Sequence, residues 1–276
     1  MEIVQEERSV ARNVVLGFTS TDLQTWTPLE SPIAYGMTSL GLAISENGDL
    51  LLTGIQEVLP PSFWEEKFGA PVRGLRFDGV EWHAIHWKVD TPDAKAHIDP
   101  QIFEDSVWFL NRQVTEWSNQ PVFGEQHRSD DPVNHASEVH IESVLLDGGE
   151  VVRHWSGMHV ADPSPVRFKD QLHVFISGRG RVSHLTGSPL AEVKKFAGVT
   201  VPFAFVASES LNLIVQGNIN GSRQPMMATS SDGRQWSDFR PLIAELDVGT
   251  CTSPVIGPLG DQWLLMCAQE RFKVPL

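Results

Sequence analysis

The chain has 276 residues, 41% of them hydrophobic and 20% charged: enough apolar content for a buried core and too little charge for a disordered polymer. A formal net charge of -14 would repel a nucleic-acid backbone or an anionic membrane surface, which leaves small-molecule or glycan ligands, neutral or cationic, or a bound metal as partners, although acidity also serves solubility alone. The N-terminal Met1-Glu2-Ile3-Val4-Gln5-Glu6-Glu7-Arg8 lacks the apolar stretch of a signal peptide, and no run of about 18 apolar residues occurs, so the sequence reads as cytoplasmic with nothing crossing a membrane. Its two cysteines are too few for a disulfide scaffold.

Strand signals dominate, and no segment sustains a helical period. Val14-Val15-Leu16-Gly17-Phe18 reads as a strand that turns at Ser20-Thr21-Asp22-Leu23-Gln24 into Trp26. Residues 40–44 and 50–53 form a hairpin about Glu46-Asn47-Gly48-Asp49. A long connection follows at 57–72, carrying Phe63, Trp64 and Phe68. A second hairpin spans 74–77 and 81–88 about Asp78-Gly79. Residues 97–112 form a strand pair, 115–136 a long polar loop, and 139–146 with 150–155 a pair about Asp147-Gly148-Gly149. Residues 161–178 are two apolar strands about Lys169-Asp170, followed by strands at 182–185 and 193–196. A further strand pair spans 200–215, then 226–229 leads through Ser231-Asp232-Gly233 to Trp236, and 251–267 is the last pair.

One unit recurs. Asp99-Pro100, Asp162-Pro163, Val201-Pro202 and Ser253-Pro254 each lead an apolar strand pair, and residues 39–54 are a weaker copy without the proline. A repeat of this kind means one supersecondary unit stacked several times. With four strands per unit, units one to four are complete, the last supplies only its first two strands, and residues 14–28 supply the missing third and fourth. The expectation is all-β: a five-bladed β-propeller over residues 1–276 as a single domain, its last blade closed by the N-terminal strands, with a pair of β-sandwiches as the alternative. Ring closure leaves few free sheet edges. Both long connections then join second to third strands on one face of the disc, the face where function on a rigid scaffold is expected.

His97-Ile98-Asp99-Pro100-Gln101-Ile102-Phe103-Glu104-Asp105 and Ala161-Asp162-Pro163-Ser164-Pro165-Val166 resemble the blade-leading motifs of the five-bladed glycoside hydrolases, the arabinanase, xylosidase and invertase-like group. Ser20 to Trp26 and Ser230 to Trp236 look like the Ser-x-Asp turns followed by Trp of that group and of sialidases. The resemblance implies a carbohydrate-active protein, with carboxylates at the axial start of the inner strand in the first three blades acting as base, pKa modulator and acid. By position Asp99 matches the modulator and Asp162 the acid, usually a glutamate. The first blade offers Met37-Thr38-Ser39-Leu40 and no carboxylate for the base, and Glu57 at the end of that blade's second strand, or Glu138, is a candidate to reach inward.

The residues offer other chemistry at the axis. His97 lies two residues before Asp99 and His159 three before Asp162, so these four form a candidate divalent-metal set, imidazole and carboxylate suiting zinc, iron or manganese. The bland alternative is that the aspartates cap backbone amides and the histidines are loop residues. Gln56, Arg112, Arg179, Asn218 and Gln269 end the second strands as a polar ring suited to a polyhydroxylated or anionic ligand, or merely to water. Trp64 and Trp117, on the long connections, are candidates to stack on a sugar ring, whereas Trp26, Trp82 and Trp236 read as packing between blades. Cys251 and Cys267, equidistant from Pro258-Leu259-Gly260, are expected near each other as free thiols, a redox pair or soft ligands. The sequence thus leaves a hydrolase, a non-catalytic glycan or small-ligand binder and a metal-dependent protein as readings.

Overall fold

The computed structural model describes residues 13–45, 47–56, 72–86, 97–113, 138–145, 148–158, 160–178, 180–219, 221–243 and 250–270. All regular secondary structure in them is strand. The chain begins with β1 (Asn13–Ser20), β2 (Thr27–Pro28) and β3 (Ala34–Tyr35). The first blade is β4 (Met37–Ile44), β5 (Leu50–Gln56), β6 (Val72–Phe77) and β7 (Trp82–His86). The second is β8 (His97–Phe103), β9 (Ser106–Gln113), β10 (Glu138–Leu145) and β11 (Val152–Met158). The third is β12 (Ala161–Phe168), β13 (Gln171–Gly178), β14 (Arg181–Thr186) and β15 (Ala191–Ala197). The fourth is β16 (Val199–Ala207), β17 (Ser210–Ile219), β18 (Ser222–Ser230) and β19 (Arg240–Pro241), after which come β20 (Thr252–Leu259) and β21 (Gln262–Glu270).

Each blade is an antiparallel meander, and the fifth takes the order β2-β1-β21-β20, with β3 also on β1. The N-terminal strand therefore completes the last blade, paired along its whole length with β21 from Asn13↔Glu270 to Ser20↔Trp263. The inner strands close a ring: β4 lies against β8, β8 against β12, β12 against β16, β16 against β20, and β20 against β4. The five-bladed propeller expected from the repeat is the observed fold.

Burial falls from the axis outward, and the sequences follow it. β17, SLNLIVQGNI, is covered on both faces by neighbouring blades and is buried from Leu211 to Gly217, a near-continuous apolar run rather than an alternation. Outermost β15, AEVKKFA, buries only Phe196, and its lysines discourage another chain from adding to the edge. The apolar core lies in the seams between blades. Phe175 and Val182 of the third blade pack with Leu213 of the fourth, and Leu110 and Ile141 of the second with Val174 and Leu185 of the third. The largest cluster joins the fifth blade (Val15, Leu265) to the first (Met37, Leu52) and fourth (Ile214). Each such side chain contributes about 1.5–3 kcal/mol relative to exposure.

Turns on the face away from the long connections are tight, as the Lys169-Asp170 signal predicts. Lys169 and Asp170, like Ser208 and Glu209, both have positive φ, the two-residue geometry whose twist matches antiparallel strands. One expectation needs correction. The outer strand of the fourth blade is the short β19, beyond Trp236 rather than at it, because between the Ser-Asp turn and β19 only Ser237 bonds to β18, at Thr229, and no ladder forms. The cysteines lie near each other as expected, although a bulge before Val255 moves the register so that Thr252 pairs with Ala268. They are joined, with Cα atoms 5.3 Å apart, as a fully buried disulfide and not as free thiols or ligands.

Candidate functional site

Every inner strand carries the same irregularity at the same place. The pairing of inner with second strand slips between Thr38 and Gly41, Ile98 and Gln101, Ala161 and Ser164, Thr200 and Phe203, and Thr252 and Val255. An extra residue in one strand bends it and re-aims a side chain. Ser39, Asp162, Val201 and Ser253 hold this position with φ between 48° and 52°, the left-handed region. Asp99 stands at the same position in β8. The proline that follows in four blades donates no ladder hydrogen bond, which a bulge tolerates. The five bulge residues, in order Ser39, Asp99, Asp162, Val201 and Ser253, thus form a ring of equivalent positions near the start of the innermost strands.

The bulges are fixed by contacts between adjacent blades. Thr53 Oγ1 donates to the Pro100 carbonyl at 2.9 Å, Gln101 Nε2 to the Leu40 carbonyl at 3.0 Å, and the Ala204 amide to Ser164 Oγ at 2.8 Å. Gly41 is required by closeness: a Cβ there would fall on the Pro100 carbonyl and 2.5 Å from Thr53 Oγ1. Buried hydrogen bonds of this kind each contribute about 0.5–1.5 kcal/mol and hold the ring rigid.

Asp162 is half-buried, and its carboxylate is in hydrogen-bond contact with the Ser177 hydroxyl of β13. The Ser177 Oγ also reaches the Ala161 carbonyl at 3.3 Å. The second strands are antiparallel to the first, so their C-terminal ends share the bulge face, Met37 lying opposite Gln56 and Val199 opposite Gly217. The strands that residues 57–71 and 114–137 join, β5 to β6 and β9 to β10, meet those connections at this same end.

The proposed polar ring is partly visible. Asn218 is exposed, and its side-chain oxygen accepts the Gly221 amide at 2.9 Å, capping the β17–β18 turn. Gln269 is half-buried on β21, opposite Val14. Gln56, His97, Asp99 and Arg112 have their backbones in β5, β8 and β9, with side chains outside the described residues. Glu57, Trp64, Trp117, His159 and Arg179 lie outside the described residues altogether. Among the described residues no three His, Cys, Asp or Glu side chains come together as a metal site. Of the candidate metal set His97, Asp99, His159 and Asp162, only Asp162 has a described side chain, and a serine hydroxyl lies against it.

The two Ser-x-Asp turns have one architecture. Asp22 Oδ1 accepts the Gln24 and Thr25 amides, each at 2.8 Å, and Asp232 Oδ1 accepts those of Arg234 and Gln235 at the same distances. Ser20 and Ser230 each donate to the aspartate and accept a backbone amide in return. These amides hold both carboxyls below the usual carboxylate range, and the Glu81 and Val80 amides with His83 hold Asp78 at about 2. The carboxylates are turn caps, and Trp26, Trp82 and Trp236 pack on the seam clusters as the sequence suggests.

Sequence reasoning missed a histidine pair. His173 Nδ1 and His184 Nε2 are 2.8 Å apart, buried between Phe175 and Trp236 at the seam of the third and fourth blades. The signal was available: in a hairpin turning after Gly178, His184 pairs with Phe175, one diagonal from His173 on the same sheet face.

No protein-family model matches the chain, and no curated protein matches it. Solved structures do. The exo-β-1,3-galactanase of Phanerochaete chrysosporium, solved with galactose, superposes with a TM-score of 0.53 at 10% identity over 84% of this chain and 60% of that one. This chain has the fold of the five-bladed glycoside hydrolases. An α-L-arabinanase mutant of Cellvibrio cellulosa gives 0.55 at 10% identity, covering 85% of this chain and 87% of that one. A family 117 glycoside hydrolase of Zobellia galactanivorans gives 0.52 at 10% identity, covering 87% of each. The chain therefore spans 60% of the galactanase's length and most of the other two. At this identity the likeness carries the fold, and chemistry must be argued from the site.

Proposed function

We propose that this propeller is carbohydrate-active and takes a glycoside on its bulge face, where Asp99 and Asp162 are the carboxylates that contact it. One observation carries the reading. Of the five equivalent bulge positions, only those of the second and third blades hold acids, and the inner strands of those blades lie against each other. Adjacent carboxylates suit a polyhydroxylated ligand, whose hydroxyls donate to them. The galactose and arabinan chemistry in the names of the structural neighbours supports the same substrate class.

Glycoside hydrolysis needs a proton donor on the leaving oxygen and a second carboxylate that activates water or attacks the sugar. In this reading Asp162 gives its proton to the leaving oxygen as the glycosidic bond breaks, Asp99 tunes it, and Glu57 takes a proton from the attacking water. Ser39 at the first-blade bulge favours a second reading, a glycan binder without turnover, because a serine there has no carboxylate to offer.

A panel of aryl glycosides, assayed for release of the aryl group and for binding by calorimetry, separates the two. Turnover that falls at least about 100-fold in both Asp99→Asn and Asp162→Asn makes the chain a hydrolase. Binding without turnover, lost in the same variants, makes it a binder. Activity or binding that survives both substitutions ends the axial reading.

A further inference from the structure

Asp99 and Asp162 hold equivalent positions but have different neighbours. In the third blade, Ser177 lies opposite Ala161, the residue before the acid. The matching residue is Ile55 in the first blade, Leu110 in the second, Gln216 in the fourth and Ala268 in the fifth. Only the third blade sets a hydroxyl there, and Ser177 is 5% exposed, too buried to be a solvating surface serine. Its Oγ contacts two oxygens, the Asp162 carboxyl and the Ala161 carbonyl, with one proton to give.

That arithmetic has a consequence for the acid. With Asp162 ionised, the hydroxyl donates to the carboxylate. With Asp162 protonated, the carboxyl O–H donates to Ser177 Oγ, and the serine proton turns to the Ala161 carbonyl. Both states are hydrogen-bonded with only a hydroxyl rotation between them. We propose that Ser177 is a positioning residue that holds the Asp162 carboxyl in one orientation through gain and loss of its proton. Leu110, at the matching register of the second blade, has no hydroxyl, so a serine at this register distinguishes the third blade from the second, the kind of difference in environment that divides roles between paired carboxylates. The inference rests on the axial reading of Asp162 for its purpose, and on the Ser177 contact alone for its geometry.

The test is carbon-13 NMR of the aspartate carboxyls in the full chain, with Asp162→Asn assigning the resonance. Ser177→Ala is expected to raise the Asp162 titration midpoint by roughly one unit, since both states lose a hydrogen bond but the one to the ionised carboxylate is the stronger. Ser177→Thr, which keeps the hydroxyl, is expected to restore it. A midpoint unmoved by Ser177→Ala overturns the proposal. So does a shift that Ser177→Thr fails to reverse, because the cause is then the altered packing and not the hydroxyl. The measurement uses no sugar. If every aryl glycoside is ignored while the midpoint moves and is restored, the substrate reading falls and the positioning of Asp162 stands.

Discussion

Acid should loosen the seam between the third and fourth blades, and the buried histidine pair sets how much. His184 is 1% exposed, stacked on Phe175 and edge-on to Trp236. Its Nδ1 has no hydrogen-bond partner among the described residues. A bare nitrogen tolerates that better than an N–H, so His184 Nε2 carries the proton and donates to His173 Nδ1. Adding a second proton to His184 buries an unpartnered charge. Burial, then the nearby His173 and Lys194, push its pKa from 6.5 down to about 3. The unfolded chain takes up this proton as pH falls through 6.5, while the folded chain does so only near 3. Stability is therefore intact above the unfolded value and lost as pH falls between the two. At about pH 5 the interval crossed is about 1.5 units, and at 1.36 kcal/mol per unit the loss from His184 is ~2 kcal/mol. Burial lowers His173 in the same direction. Urea unfolding at about pH 7.5 and about pH 5 measures the loss, and His184→Gln provides the reference, since every other titrating group is common to both proteins. The wild type should lose ~2 kcal/mol more than the variant. Equal losses would refute the argument, placing the pair in contact with water or already charged in the fold.

Two further outcomes follow from the fold. Replacing Cys251 and Cys267 by alanine opens a link spanning 16 positions in the last blade, with an expected loss of about 3 kcal/mol in urea unfolding under non-reducing conditions. A thiol reagent in denaturant should find no free thiol before reduction and both cysteines after it. Gly41→Ala pushes a methyl group into the Pro100 carbonyl and should destabilise by about 1–3 kcal/mol in urea unfolding. A Gly41→Ala variant as stable as the wild type would mean the inner strands of the first two blades do not meet as described.

The architecture was legible because a ring repeats its instructions. The X-Pro dipeptides at 99–100, 162–163, 201–202 and 253–254 mark the inner strands, and the surplus strand pair at the N-terminus can only complete a last blade that lacks one. The bulge was not legible, because it is a matter of register: Ser39, with no proline after it, adopts the same left-handed geometry as Asp162. The short outer strand β19 escaped for a related reason, since two residues of exposed Arg-Pro carry no alternation to read. At the candidate site, the sequence singled out Asp162 through its motif but not Ser177, because the partner of a bulged residue depends on a pairing that the bulge itself displaces. The cysteines came out adjacent from a count that ignored that displacement, which sheet pleating forgave over so short a distance.

The pairing of β1 with β21 also sets the order of assembly. During synthesis the opening strand emerges first with only the short β2 and β3 to pair with, and its full-length neighbour, the closing strand, follows more than 240 residues later. The interior blades can stack in the meantime, each on its predecessor. The circle itself stays unlatched until the chain's two ends meet, so the slowest folding step should be that long-range encounter, and a chain truncated before β21 should leave a gap where the ring would shut.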